Sequence, residues 1–102
     1  MSQKKKQKHK NKEEAAAHIL GWTPEGWEDY LWWQDNNPKI VKEINGLLRE
    51  CLRDPFKGTG KPEPLMGDLT GFWSRRITDK DRLVYCPDDG RIVVLMCRFH
   101  YK

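Results

Sequence analysis

Between Lys57 and Arg82 the chain reads KGTGKPEPLMGDLTGFWSRRITDKDR, in which one carboxylate, Glu63, stands between Pro62 and Pro64 and three arginines follow. Lys57, Lys61, Arg75, Arg76, Lys80 and Arg82 outnumber Glu63, Asp68, Asp79 and Asp81. Proline fixes its own φ and lacks an N–H donor, so the prolines and glycines here restrict the backbone and predict no regular element around Glu63. A held acid on a basic surface suits phosphate chemistry. Internal transfer within RNA needs a base for the 2′-hydroxyl, an acid for the leaving 5′-oxygen, and cations for the charge that develops on the phosphoryl oxygens. Glu63 fits the base. Arg76 and Arg82 fit the cations, with Lys61 and Arg75 as further phosphate-binding candidates. The acid lies far along the chain at His100, a residue type that titrates near neutrality. Tyr101 beside it offers a ring for base stacking and a hydroxyl for phosphate.

Each of these residues also has a plainer reading. Glu63 taken alone is an exposed loop acid. Arg76 and Arg82 have Asp79 and Asp81 within reach for rim salt bridges. A histidine near a strand end packs or faces solvent as often as it does chemistry. Residue spacing favours the phosphate reading at one point: Phe72, Ser74, Arg76 and Thr78 share one face of a strand, and Trp73, Arg75 and Ile77 share the other. At most one of Arg75 and Arg76 then faces a site. With a turn at Asp79-Lys80-Asp81, Arg82 is expected across from Arg76, and two opposed guanidiniums suit an anion.

The elements that must position these residues are legible around them. Thr23-Pro24 combines an N-cap hydroxyl with proline at the first helical position, predicting a helix to about Asp35 with Trp27, Tyr30, Leu31 and Gln34 as its packing face. Trp27 and Trp33 are read as core or interface. Asn36-Asn37-Pro38 starts a second helix with Ile40, Val41, Ile44, Leu47, Leu48, Cys51 and Leu52 on one stripe, and Asp54-Pro55 ends it. His18 to Trp22 predicts a first strand. Residues 72 to 78, 82 to 86 and 91 to 101 predict an antiparallel meander, turning at Pro87-Asp-Asp-Gly90, with RIVVLMCRFHY as its central strand and Phe99 facing the core. The fold class is α+β, a helical hairpin packed on a small antiparallel β-sheet.

Length permits one domain. The formal charge of +4 comes from the N-terminus, where six lysines within residues 1 to 12 face Glu13 and Glu14; the remainder carries 13 basic and 13 acidic residues. Residues 1 to 17 are expected to be a lysine-rich tail, disordered over residues 1 to 14, and residues 18 to 102 the domain. The domain is polarised: residues 23 to 54 hold four basic and seven acidic residues, and residues 55 to 102 nine and six. A polyanion would be oriented by that asymmetry. No run is apolar enough for a membrane span, and no secretory signal follows the lysines. Cys51, Cys86 and Cys97 fit thiols in a reducing compartment, with Cys51 and Cys97 in the core. Metal-ligand spacing, a phosphate-binding Gly-rich loop and the context of a serine or cysteine triad are all lacking.

The runs PFKGTGKPEPL, LTGFWSRRITDKDRLVY and CRFHY, with WEDYLWWQ and KIVKEINGLL before them, resemble the YoeB-type toxins of the RelE/ParE superfamily from about Ile19 to Tyr101. That resemblance implies a bacterial, cytoplasmic type II toxin: an endoribonuclease that cleaves mRNA in the ribosomal A site, needs no metal or cofactor, forms homodimers and is held in check by a YefM-like antitoxin. The family's general base matches Glu63, its transition-state arginine Arg82, its general acid His100, its terminal tyrosine Tyr101 and a substrate-binding arginine Arg76. The implied products are a 2′,3′-cyclic phosphate and a 5′-hydroxyl. Met66 stands where close relatives often have lysine, and the lysine-rich tail and Lys102 are departures from the family pattern. Two other readings use the same scaffold, a non-catalytic toxin of the gyrase-inhibiting kind and a plain RNA-binding module. Neither needs Glu63, Arg82 and His100 together.

Overall fold

The computed structural model describes residues 17–99; the lysine-rich tail before them and His100, Tyr101 and Lys102 after them lie outside the described residues. Strand β1 (Ala17–Trp22) leads into helix α1 (Pro24–Asn36) and helix α2 (Pro38–Arg53). Strands β2 (Glu63–Pro64), β3 (Trp73–Arg76), β4 (Arg82–Asp88) and β5 (Gly90–Met96) follow. The sheet order is β1-β5-β4-β3-β2, with β1 parallel to β5 and every other pair antiparallel. β1 begins at Ala17, one residue inside the expected tail.

The helix starts are as the sequence predicts, and the first is tied into the sheet. Thr23 Oγ1 accepts the Gly26 N–H at 3.0 Å and donates to the Leu95 carbonyl at 2.9 Å, while the Thr23 N–H donates to the Val94 carbonyl. One side chain thus caps α1 and staples it to β5. Gly26 is required by this approach, because a Cβ there would stand 2.6 Å from the Val94 carbonyl oxygen. Glycine to alanine in a helix ordinarily stabilises by up to about 1 kcal/mol. Here we expect the opposite sign: Gly26→Ala should lower stability by about 1–3 kcal/mol through overpacking, read as a lower midpoint in denaturant titration.

The inward face of α1 is in part the one expected, since Tyr30 packs on the core and Trp33, read as core or interface, is buried, while Trp27 and Gln34 are not. Gly26 and Trp33 are buried, and Trp33 Nε1 donates to the Cys97 carbonyl at 2.7 Å. Trp27 is 43% exposed and Gln34 is exposed; Trp27 lies edge-on to Trp22 at 5.7 Å between ring centroids. α2 presents the expected stripe, burying Ile44, Leu47, Leu48 and Cys51 against Leu83, Tyr85, Ile92 and Val94 of the sheet. The two helices are joined across their own interface by Tyr30 Oη donating to Asn45 Oδ1 at 2.6 Å. Cys51, Cys86 and Cys97 are free thiols, and burial pushes Cys51 up to about 11 and Cys97 up to about 12.

Two strand expectations are corrected. The central strand is β4, not the C-terminal run, which has β1 on its outer side in parallel register and stops pairing at Met96. Pro87 belongs to β4, opposite Ile92, and the reversal is a two-residue Asp89-Gly90 turn with both φ positive, the hairpin geometry whose twist matches the strands.

Candidate functional site

Strand β3 carries the site. Glu63 pairs with Ser74, and Arg76 pairs with Arg82 on β4. Side chains alternate along a strand, so Glu63, Ser74, Arg76 and Arg82 share one face of the sheet. The opposite face, with Leu83 and Tyr85, is the one the helices cover. Glu63 and Arg76 are diagonal neighbours across β2 and β3, a relation that separates residues by roughly 7–8 Å. Both are exposed, and Lys61, in left-handed conformation at φ 52°, is exposed beside them. Contrary to the expectation of no regular element, Glu63 and Pro64 form a short strand, because β3 supplies a pairing edge to a backbone already extended by proline.

The expected opposition of Arg76 and Arg82 is present in the register. Like charges facing each other across a strand pair are unfavourable unless an anion sits between them. Arg82 is held by one end only: its Nη1 donates to the carbonyls of Thr78 at 2.8 Å, Asp81 at 3.0 Å and Asp79 at 3.3 Å. Among the described residues, Nε and Nη2 of Arg82 and the whole guanidinium of Arg76 have no hydrogen-bond partner. The rim salt bridges to Asp79 and Asp81 do not form among the described residues. Asp81 instead accepts the Thr78 hydroxyl at 2.8 Å and the Phe99 N–H at 2.7 Å.

Arg75 is a correction. It is 0% exposed on the helix-facing side, and each of its three nitrogens donates inside the protein. Nε donates to Tyr85 Oη at 3.1 Å, Nη1 to the Thr59 carbonyl at 3.1 Å, and Nη2 to the carbonyls of Asp54 and Lys57, both at 2.8 Å. Four of its five N–H groups are bonded inside the protein, and the side chain is fully buried away from the open face.

Phe99 is a second correction. The strand reading placed it in the core; it is 59% exposed, with φ at 66°. Carboxylates end the β5 ladder: Asp29 of α1 accepts the Cys97 N–H at 3.0 Å, and Asp81 accepts that of Phe99. Burial, the largest influence on Asp29, pushes its carboxyl above the ordinary aspartate value. The Phe99 carbonyl accepts the Arg82 N–H at 2.9 Å, so the chain leaves the described residues fastened to the backbone of Arg82. The Arg98 guanidinium lies over the Trp32 ring at 3.5 Å and near the Phe99 ring at 4.3 Å. His100 and Tyr101, the expected acid and stacking residue, lie outside the described residues. Sequence reading missed Asp29 and Asp81 as backbone anchors, and nothing local signals them, since their partners are 68 and 18 residues away.

A family profile described as the YoeB-like toxin of bacterial type II toxin-antitoxin systems matches residues 22–101. The chain belongs to this family. Its sequence is 55% identical over 82 residues to Toxin YoeB of Streptomyces coelicolor, covering 80% of this chain and 98% of that protein. The fold matches the YoeB/ParE toxin from Agrobacterium tumefaciens with a TM-score of 0.78 at 50% identity, over 81% of this chain and 99% of that one. YoeB of Staphylococcus aureus, solved in complex with YefM, matches with a TM-score of 0.76 at 46% identity, over 80% of this chain and 95% of that one. A YoeB dimer from Staphylococcus aureus matches with a TM-score of 0.76 at 44% identity, over 81% of this chain and 97% of that one. As a YoeB-like toxin of a type II system, the chain carries its exposed acid and the guanidiniums of Arg76 and Arg82 on the face that its own helices leave uncovered.

Proposed function

We propose that this toxin is an endoribonuclease that cleaves mRNA in the ribosomal A site by general acid–base transfer. The observation that carries the reading is the shared face of Glu63, Arg76 and Arg82, with the segment leading to His100 bonded to the Arg82 backbone. Glu63 takes the proton of the 2′-hydroxyl as its oxygen attacks phosphorus. The P–O5′ bond breaks as the 2′-O–P bond forms, and the His100 imidazolium gives its proton to the departing 5′-oxygen. Arg82 and Arg76 meet the charge on the non-bridging oxygens. Tyr101, with Lys61, binds the RNA strand. Atoms and charges balance with no metal or cofactor in any step, leaving a 2′,3′-cyclic phosphate and a 5′-hydroxyl.

YoeB of Staphylococcus aureus forms a complex with YefM and a dimer. By similarity, this toxin pairs with a YefM-like antitoxin and forms homodimers, and the ribosome delivers its substrate in the bacterial cytoplasm. No helix among the described residues is long and apolar enough to cross a membrane.

The test is to map the ends of a defined mRNA after incubation with the toxin, with and without translating ribosomes. Cuts within the A-site codon, dependent on ribosomes and leaving 5′-hydroxyl ends, are expected. Glu63→Gln, which keeps the shape and removes the base, should slow cleavage about a hundredfold. Five-prime phosphate ends overturn the mechanism. Translation arrest without any cut favours the non-catalytic interaction toxin.

A further inference from the structure

Resting on the nuclease reading above, we propose that Arg75 is a positioning residue for Glu63: its buried guanidinium gathers the carbonyls of the Asp54–Thr59 loop, and that loop sets where Glu63 stands. A fully buried arginine is costly unless all its donors are satisfied. Here each of the three nitrogens donates into a cage of oxygens, four N–H groups in all. Asp54, Lys57 and Thr59 each contribute a backbone oxygen and Tyr85 its hydroxyl, and among the described residues no carboxylate forms a salt bridge with it. Tyr85 Oη in turn donates to the Pro55 carbonyl at 2.6 Å, and burial raises this phenol above its ordinary range, keeping it a donor. The loop is thus wrapped around a cation that belongs to the sheet.

The wrapping is tight. A Cβ on Gly58 would stand 2.6 Å from Glu50 Oε1 and 3.0 Å from Arg75 Nη1; one on Gly60 would stand 3.1 Å from Arg75 Cβ. Glu50 Oε1 accepts the Thr59 N–H at 3.1 Å, and the Arg76 N–H donates to the Gly60 carbonyl at 2.7 Å. From Gly60 the path to the acid is short and stiff. Lys61 is left-handed, Pro62 and Pro64 have fixed φ, and Glu63 pairs with Ser74, the residue before Arg75. With so few soft torsions between them, a shift of the loop passes to Glu63 instead of being absorbed.

Arg75→Met risks losing the fold, so the primary test is Tyr85→Phe, which removes one hydroxyl from the cage and leaves the ring in the core. Arg75→Lys, which keeps charge without the fork, serves as the stronger perturbation. Two readouts are needed. Amide hydrogen exchange should rise about tenfold at Thr59 and Arg76 in Tyr85→Phe, while α2 amides keep their rates. In cleavage assays kcat should fall about tenfold with KM unchanged, and that factor should vanish when Tyr85→Phe is combined with Glu63→Gln, because both changes act through one group. Unchanged exchange at Thr59 and Arg76 overturns the proposal, as does an equal loss of cleavage with and without Glu63. Cleavage lost in Glu63→Gln but normal in Tyr85→Phe overturns the positioning role alone. A Glu63→Gln variant that cleaves like the parent overturns the nuclease reading and with it the role given to Arg75.

Discussion

Replacing His100 by alanine is expected to slow mRNA cleavage by at least about a hundredfold, the low end for removing a general acid. The 5′-oxygen leaves as an alkoxide unless it is protonated as the bond breaks, and water at neutral pH is a far weaker acid than imidazolium. A hundredfold corresponds to about 2.7 kcal/mol of transition-state stabilisation. The position of this residue in the chain supports the role. Phe99, immediately before it, is bonded at its N–H to Asp81 and at its carbonyl to the Arg82 N–H, and takes a left-handed φ that a bulky side chain adopts only when held. The pH dependence supplies a second check. An acid works only while protonated, so the parent should lose rate as pH rises through the imidazole titration, and His100→Ala should lack that limb. A variant that retains the parental rate and the parental alkaline limb excludes His100 as the acid.

The same segment shows why parts of this molecule were legible in its sequence and parts were not. Thr23-Pro24, the α2 stripe and the opposition of Arg76 to Arg82 rest on local rules: capping, helical period, and a short turn that fixes register. The errors come from partners far away in the chain. Alternation carried β5 through Phe99, but Asp29 and Asp81 remove the N–H groups of Cys97 and Phe99 from any ladder. The inward face of α1 departs in part from the helical period because Gly26, in its first turn, adds nothing to a hydrophobic pattern yet admits the Val94 carbonyl more closely than any side chain could. The place of β5 in the sheet depends on β1 pairing with it in parallel across some 70 residues, for which no local signal exists.

Arg75 and Arg76 show the same limit within the site. Strand parity separates them correctly onto two faces, but parity does not say which face is covered. Basic composition made both candidates for phosphate. Only the arrival of the Asp54–Thr59 loop beneath β3, with its carbonyls turned inward, converts one of two adjacent arginines into a strut and leaves the other on the open face.

Arg82→Ala should lower kcat by about a hundredfold to a thousandfold, the range for removing one preorganised donor to a developing oxyanion. The side chain is suited to this because its two ends do different work. Nη1 is fastened to three carbonyls of the Thr78–Asp81 turn, which fixes the guanidinium plane, while Nε and Nη2, without a partner among the described residues, form the edge that matches two phosphoryl oxygens. Fixing the plane in advance removes most of the ordering cost at the moment charge develops. Arg82→Lys should then recover little, since an ammonium cannot hold the turn and present a two-point edge together. Stability should change far less than activity. The lost bonds run to carbonyls of a surface turn that water can solvate, costing about 1 kcal/mol, so melting should shift by only a few degrees while kcat collapses. If melting temperature and kcat instead fall together, Arg82 serves the turn rather than the phosphate, and the charge must be met by Arg76 alone. Arg76→Ala would separate these cases, because its guanidinium has no partner among the described residues and its loss should leave melting unchanged.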